Sequence, residues 1–132
     1  MVVIEFRLDR RSNAPPYLQL VDQVRQALRM GLLESGDQLP TVRDVAESIA
    51  INPNTVLKAY RELEHEDLVE GRPGLGTFVI RSLAGPSLAS HAKLRRDLLT
   101  WLGRAKDAGL DHEDIVALFE TTFRAFASEG AA

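Results

Sequence analysis

The segment PTVRDVAESIAINPNTVLKAYRELE, residues 40–64, contains two helix-start signals only eleven positions apart. At the first, Thr41 can accept a hydrogen bond from the first helical turn, and Asp44 three residues later completes a shortened capping box. At the second, Asn52 is a favoured N-cap and Pro53 occupies the first helical position, where its missing N–H costs nothing. Two capped helices with so short a connection predict a tight helix-turn-helix.

Each helix of this pair has one apolar face, as packing on a core requires. The expected core-facing positions are Val42, Val45, Ala46 and Ile49 in the first helix, and Val56, Ala59, Tyr60 and Leu63 in the second. The second helix is predicted over residues 53–66. Its other face carries a polar line formed by Asn54, Lys58, Arg61 and His65.

A further helix is predicted before this pair. Pro15 and Pro16 open it, and Gly31 and Gly36 mark its end. Its apolar stripe is expected to consist of Leu20 or Val21, Val24, Leu28 and Leu32.

The glycine-rich stretch GRPGLGTFVI, residues 71–80, allows two interpretations. A loop that binds a nucleotide phosphate needs Gly-x-Gly-x-x-Gly between a strand and a helix, and would indicate a nucleotide-dependent enzyme. Here the order is Gly-x-x-Gly-x-Gly, and a β-type run follows at 77–80. We therefore favour a β-hairpin with strands at 68–70 and 77–80 and a turn at 71–76, and we predict that the protein is not an enzyme.

A helix, a helix-turn-helix and a two-stranded hairpin, in this order, are typical of a winged-helix DNA-binding module, whose second paired helix can enter the major groove. Residues 1–81 are therefore interpreted as an α+β winged helix-turn-helix domain with its wing at 68–81. The net charge of the chain is −3, and residues 1–80 hold 9 Lys and Arg against 12 Asp and Glu. This charge supports one alternative, a winged-helix module for protein–protein assembly without sequence-specific DNA binding.

Residues 82–90, SLAGPSLAS, are small and polar and contain a proline, which indicates a linker. Residues 91–132 then predict a small all-α hairpin of two helices, the second capped by Asp111 with Asp114. Two helices alone cannot hide their apolar side chains, so we expect a second copy of the chain to cover them. The expected dimerisation residues are Leu94, Leu98, Trp101, Leu102, Ile115, Phe119, Phe123 and Phe126.

Composition narrows the remaining functional classes. The chain has 132 residues and no cysteine, which excludes disulfides and thiolate chemistry. Its three histidines are widely scattered, so we predict no metal site and no cofactor. The charged start is no signal peptide and no apolar run reaches membrane-spanning length, so we expect a cytoplasmic protein with no membrane partner.

The segments together resemble the gluconate-operon repressor (GntR) family of bacterial transcription regulators. The matching stretches are PPYLQL (15–20), GDQLPTVRDVA (36–46), NPNTVLKAYRELE (52–64) and GRPGLGTFV (71–79). The short C-terminal region resembles the YtrA-type subfamily, in which a helical hairpin serves dimerisation. The resemblance implies a repressor that binds an inverted-repeat, double-stranded DNA operator as a homodimer. An unidentified small-molecule effector is a further candidate partner, with a pocket between protomers as the less favoured interpretation of the aromatic residues.

The resemblance also assigns contacts to DNA. Arg43 would contact a base or phosphate and Thr41 the DNA backbone, while Asn52, Asn54, Thr55 and Lys58 would face the major groove. For Arg61, an ion pair with Glu62 or Asp67 is as good an interpretation as a DNA contact. The expected DNA-binding residues are Thr41, Arg43, Asn52, Asn54, Thr55, Lys58, Arg61, Arg72, Gly74 and Gly76. Arg7, Arg10 and Arg11 fit phosphate attraction and a solvated arm equally well.

The sequence departs from the family pattern at one position. Asp67 stands where the family usually has glycine after the second paired helix. Because Asp tolerates left-handed backbone better than most residues, we expect the same helix end with some strain.

Overall fold

A computed structural model of the chain describes residues 4–83 and 91–130, which belong to two compact units. The first unit contains α1 (Pro16–Arg29), α2 (Val42–Ile49), α3 (Pro53–His65), β1 (Val69–Arg72) and β2 (Gly76–Val79). The second contains α4 (Ala92–Asp107) and α5 (His112–Gly130). This order confirms the predicted winged helix-turn-helix followed by a helical region. The predicted linker, 82–90, lies mostly outside the described residues, and the predicted domain limits stay predictions.

The core of the first unit lies between α1 and α3, with α2 packed on α3. The predicted inward face of α3 is confirmed, since its four apolar side chains are all buried. The stripe of α1 is confirmed except at Leu32, whose exposed fraction is 49%, whereas Leu33 is 1% exposed. The helix ends at Arg29 and Gly31 takes a positive φ of 74°, so the chain turns and helical spacing no longer decides which residue faces inward.

The predicted caps of the helix pair are confirmed. Thr41 Oγ1 accepts a hydrogen bond from Asp44 N at 3.1 Å, and Asn52 Oδ1 accepts one from Asn54 N at 2.8 Å. Between the helices, Ala50 takes left-handed backbone with φ 54°, and Ile51 N donates to Ala46 O. These bonds close the turn within three residues.

The wing is a two-stranded antiparallel hairpin in which Val69 pairs with Val79 and Arg72 with Gly76. The predicted bounds were wrong at both strands, since β2 begins at Gly76 and β1 includes Gly71 and Arg72, so only residues 73–75 form the turn. The reason is that backbone pairing with β2 continues through Gly71 and Arg72, although glycine is a turn-forming residue. On its other edge, β2 is bonded by the segment 36–39, through Gly36, Asp37 and Leu39.

A second left-handed residue ends α3. Asp67 has φ 59°, as expected from its place in the sequence, and Leu68 N donates to Leu63 O at 3.0 Å. This bond aims the chain from α3 into β1, so the wing begins directly at the end of the helix.

The second unit is a helical hairpin with few buried side chains. Gly109, with φ 90°, ends α4, and Asp111 and Asp114 cap α5 reciprocally through backbone-to-carboxylate bonds of 2.8 and 3.1 Å, which confirms the predicted cap. Ala105 is the only buried residue among those described in this unit. No helix in the described ranges is both long and apolar enough to cross a membrane.

Replacing Ala50 tests the strain in the helix-turn-helix. Left-handed backbone costs a residue with a Cβ about 1–2 kcal/mol that glycine avoids, and the exposed Ala50 side chain contributes little packing. We expect Ala50→Gly to raise the free energy of unfolding by about 1 kcal/mol, measured by urea denaturation. Ser48→Gly, inside α2, is the control and should lower it. An unchanged or lower stability of Ala50→Gly would contradict the strain.

Candidate nucleic-acid interface

The N-terminus of α2 presents Thr41 and Arg43 to solvent. Thr41 is exposed although its hydroxyl caps the helix. The Arg43 side chain is 86% exposed, and its Nε lies 3.2 Å from Glu47 Oε1, one helical turn further on. Because exposed pairs of this kind contribute little, Arg43 is available to a stronger anion.

The N-terminus of α3 presents a row of polar groups. Asn52 and Asn54 are exposed, and Thr55 is half-buried. The Asn52 carboxamide oxygen is used by the cap, so its NH₂ group and the whole Asn54 side chain face outward. Amides of this kind can donate to and accept from base edges.

Further along α3, Lys58 and Arg61 are exposed. Lys58 Nζ lies 4.1 Å from the centre of the Tyr17 ring, which belongs to the first turn of α1. This cation–π contact holds the ammonium group along the helix surface. Sequence reasoning missed Tyr17, because residues 41 positions apart carry no pairing signal.

In the wing, Arg72 is held on one face of the hairpin. Its Nε lies 2.8 Å from Glu70 Oε1, and its guanidinium carbon lies 4.4 Å from the centre of the Phe78 ring. Glu70 and Phe78 are directly opposed across the strands, and Arg72 faces Gly76, which has no side chain to block it. Arg72 therefore lies folded against the strand, and does not extend from the tip.

Gly74 and Gly76 of the wing are required for different physical reasons. Gly74 has φ 76° in the turn, and Gly76 has φ 127°. A Cβ on Gly76 would stand 2.5 Å from Gln38 Nε2, which donates to Leu75 O at 3.0 Å. Gln38, another residue that sequence reasoning missed, thus supports the turn from the neighbouring segment.

The structure brings some of the predicted DNA-binding residues together on one surface. Thr41 and residues 71–77 line a shallow open groove, so the start of α2 and the wing form one surface. The predicted residues of α3 form a separate row along the helix. The structure thus presents the predicted DNA-binding residues in two sets, and none of these residues is buried.

Several carboxylates near α3 are engaged elsewhere. Glu66 Oε1 accepts bonds from Arg25 at 3.1 and 2.5 Å, and this hydrogen bonding raises the pKa of the Arg25 guanidinium above its ordinary value. Glu64 Oε1 accepts from Gly71 N at 3.2 Å. These two carboxylates link α3 to α1 and to the wing. The chain can therefore have a negative net charge and still present arginine and lysine on the candidate surface.

Tyr60 fixes α2 against α3 from below this surface. Its hydroxyl donates to Pro40 O at 2.6 Å, one residue before the Thr41 cap. The side chain is buried, and burial raises the pKa of the phenol well above its ordinary value. The bond sets where α2 begins relative to α3, and it confirms that Tyr60 belongs to the core.

Comparisons with known proteins agree with this geometry. Residues 16–79 match the gntR family of bacterial regulatory proteins. The HTH-type transcriptional repressor YtrA of Bacillus subtilis is 44% identical over 73 residues, 55% of this chain and 56% of that protein. An HTH-type transcriptional regulator of Mycobacterium tuberculosis is 39% identical over 108 residues, 82% of this chain and 85% of that protein. The crystal structure of a transcriptional antiterminator from Listeria monocytogenes is 30% identical, with 90% of both chains covered and a TM-score of 0.57.

The fold and these comparisons identify a winged-helix protein of a family of DNA-binding transcription regulators, which are not enzymes, as the sequence predicted. The chain belongs to the GntR family of bacterial regulatory proteins, and its likeness to YtrA agrees with the predicted subfamily. The match spans only about half (56%) of the length of YtrA itself.

Replacing Tyr60 by Phe tests its role through pH. At pH 7, loss of the bond to Pro40 O should lower the free energy of unfolding by about 1 kcal/mol. Above about pH 10 the unfolded phenol ionises while the folded one keeps its proton, so wild-type stability falls by about 1.4 kcal/mol per pH unit from this group. Tyr60→Phe should lose that component of the alkaline slope, as measured by urea denaturation between pH 7 and 11. Tyr17→Phe, the control, should keep it, and equal slopes in all three proteins would refute the assignment.

Proposed function

We propose that the protein is a cytoplasmic transcriptional repressor that binds an inverted-repeat DNA operator as a homodimer through α3 and the wing. The observation that carries the proposal is the capped helix pair beside a wing, with Arg43, Lys58 and Arg72 all presented to solvent. The name of the Bacillus subtilis relative, a transcriptional repressor, supports the direction of regulation.

Each group on the surface has a role that its chemistry suits. The row on α3, formed by Asn54, Thr55 and Lys58, enters the major groove, where amides read adenine and ammonium groups reach guanine or phosphate. Arg43 contacts a base or phosphate from the start of α2, with Thr41 on the DNA backbone. The Asn52 amide faces the major groove beside the row on α3. Arg61 adds a phosphate contact further along α3.

The wing meets the duplex beside this groove. Arg72 exchanges its bond to Glu70 for a phosphate or for the minor groove. Gly74 lets the backbone of the turn approach closely, because it carries no Cβ into the open space beside the turn. Gly76 contributes only its backbone to this contact, since the Gln38 amide lies where a Cβ of Gly76 would be. The groove lined by Thr41 and the wing is shallow and open, so a phosphate backbone can approach both at once.

Dimerisation is proposed for the second unit because its apolar side chains are left uncovered. Leu98 and Trp101 of α4 line one groove with five residues of α5. The Phe119 and Phe123 rings stack in this groove with centroids 5.8 Å apart, yet these residues are 50% and 58% exposed. A second copy would cover this surface, whereas a lone chain leaves it in water. The other proposed contacts are Leu94, Leu102, Ile115 and Phe126.

The two-fold symmetry of such a dimer requires a two-fold symmetric operator, with half-sites about one helical turn apart. A small-molecule effector remains part of the proposal, with a pocket between protomers at the apolar groove of the second unit as a candidate site. The protein–protein assembly alternative rested on net charge alone, and membership in a family of DNA-binding regulators favours the operator.

Selection of genomic fragments on the full chain, followed by mobility shift, identifies the operator and tests the proposal. We expect Arg43→Ala to weaken binding to the selected duplex by at least about 30-fold, because a dimer loses two contacts of about 1–3 kcal/mol each. Stability should be almost unchanged, since the side chain is 86% exposed. Enrichment of no palindromic site by the wild type would favour the assembly module.

Arg29→Ala is the matched control for Arg43→Ala. Arg29 is exposed in the last turn of α1, near Arg25, whose partner Glu66 follows the C-terminal end of α3. The control removes the same charge far from the proposed contact and should bind within about twofold of wild type at equal salt. Equal losses in both variants would reduce the role of Arg43 to general electrostatics.

The dimer is tested by Phe123→Glu, which places a charge in the proposed interface. We expect this variant to sediment as a monomer at micromolar concentration, because a buried unpaired carboxylate costs several kcal/mol. Ala117→Glu adds the same charge about 200° around α5 from Phe119, on an exposed site, and should remain dimeric. A monomeric wild type, or two variants that behave alike, would overturn the proposed interface.

A further inference from the structure

Two glutamines on α1 hold the N-terminal arm, which we define as residues 4–14. Gln23 Oε1 accepts a bond from Arg7 N at 2.8 Å, and Gln23 Nε2 donates to Arg7 O at 2.6 Å. One turn earlier on the helix, Gln19 Oε1 accepts from Asp9 N at 2.9 Å, and Gln19 Nε2 donates to Asp9 O and Ala14 O, both at 3.0 Å. Each carboxamide thus bonds both the N–H and the C=O of one arm residue, as a paired strand would, and Gln19 bonds Ala14 in addition.

The spacing of the two glutamines fits an extended arm. Residues four apart on a helix are separated by about 6 Å along its axis, and alternate residues of an extended chain by about 6.6 Å. Gln23 and Gln19 therefore match Arg7 and Asp9 in antiparallel order. A solvated arm would have no such fit, and the structure favours a docked one.

The position of Arg10 follows from these glutamine bonds to the arm. Asp9 is the last arm residue whose N–H and C=O both bond to a glutamine side chain. The Asp9 carboxylate accepts a bond from Arg11 N at 2.9 Å. This local turn directs the intervening Arg10 toward the helix-turn-helix, where its Nη2 lies 3.4 Å from Ile49 O. Ile49 is the last residue of α2, three positions before the Asn52 cap of α3.

The guanidinium of Arg10 is thus placed beside the turn that leads into α3. It is exposed, and its single bond to a carbonyl uses one of five N–H donors. The same end of α1 reaches the exposed row of α3, because Tyr17, two residues before Gln19, contacts Lys58. The arm, the turn and Lys58 are therefore neighbours on one side of the winged helix.

We infer that Arg10 binds a phosphate of the DNA backbone beside the groove that α3 enters, and that Gln19 is the positioning residue that holds it there. The inference rests on the proposed DNA binding and adds a contact outside the helix pair and the wing. The Asp9 carboxylate, the nearest acid in sequence, is turned toward the Arg11 backbone, which leaves the Arg10 guanidinium to face the anion.

The test uses the full chain and two probes, the genomic duplex selected above and a random duplex of equal length, with fluorescence anisotropy at several salt concentrations. A phosphate contact acts on both duplexes, so Arg10→Ala should weaken both by at least about threefold. The slope of log affinity against log salt should fall by about 0.9 per protomer. Arg10→Lys should keep most of the slope, and Arg29→Ala is the charge-matched control.

The role of Gln19 is tested by coupling. Gln19→Ala should weaken DNA binding in the wild-type background and have little further effect in Arg10→Ala. Gln26→Ala, an exposed glutamine on the same helix, is the matched control, and thermal melting shows whether each variant is folded. Equal losses from Gln19→Ala in both backgrounds would overturn the positioning role.

The outcomes also separate this inference from the proposed function. If the wild type binds DNA and Arg10→Ala binds as Arg29→Ala does, the phosphate contact is wrong and the proposed function stands. If the wild type binds no duplex even at low salt, both are overturned.

Discussion

The buried face of α3 is the constraint on which the rest of the winged helix depends. Val56, Ala59 and Leu63 have no exposed surface. Burial of an aliphatic side chain of this size contributes about 1.5–3 kcal/mol, so any rotation of α3 about its axis would be costly. Because the helix cannot rotate, its opposite face must present Asn54 and Lys58 to solvent. Tyr60 lies on the same buried face, and its bond to Pro40 O places the start of α2 beside α3.

The partners of the individual charged side chains, and not the net charge of the chain, decide the charge of the candidate surface. Glu64 and Glu66 are acceptors for the backbone of the wing and for Arg25, and so act as structural groups. The cations of the candidate surface have weaker partners that a phosphate can replace, a neighbouring carboxylate for Arg72 and an aromatic ring for Lys58. A net charge of −3 therefore does not describe the surface that DNA would meet.

Prediction from the sequence succeeded where the signal was local. The caps at Thr41 and Asn52 were found because an N-cap bonds within its own helical turn. The left-handed residue at Asp67 was found by its position after a helix. The errors lay at the ends of helices and strands, where side-chain types do not show at which residue the helix or the strand pairing stops. Arg72 was placed in the turn although pairing with Gly76 extends the strand, and Leu32 was placed on a stripe that the helix no longer continues.

By itself, the sequence determined the order of elements, the ends of the paired helices and the polar line of α3, because these follow from side-chain types a few residues apart. Only the tertiary structure decided which distant groups meet. It placed the Tyr17 ring against Lys58 and Gln38 against the wing turn. It also joined the arm to α1 through Gln19 and to the helix-turn-helix through Arg10. Contacts of this kind depend on how helices and strands pack, and packing is set by the whole core and not by any local pattern.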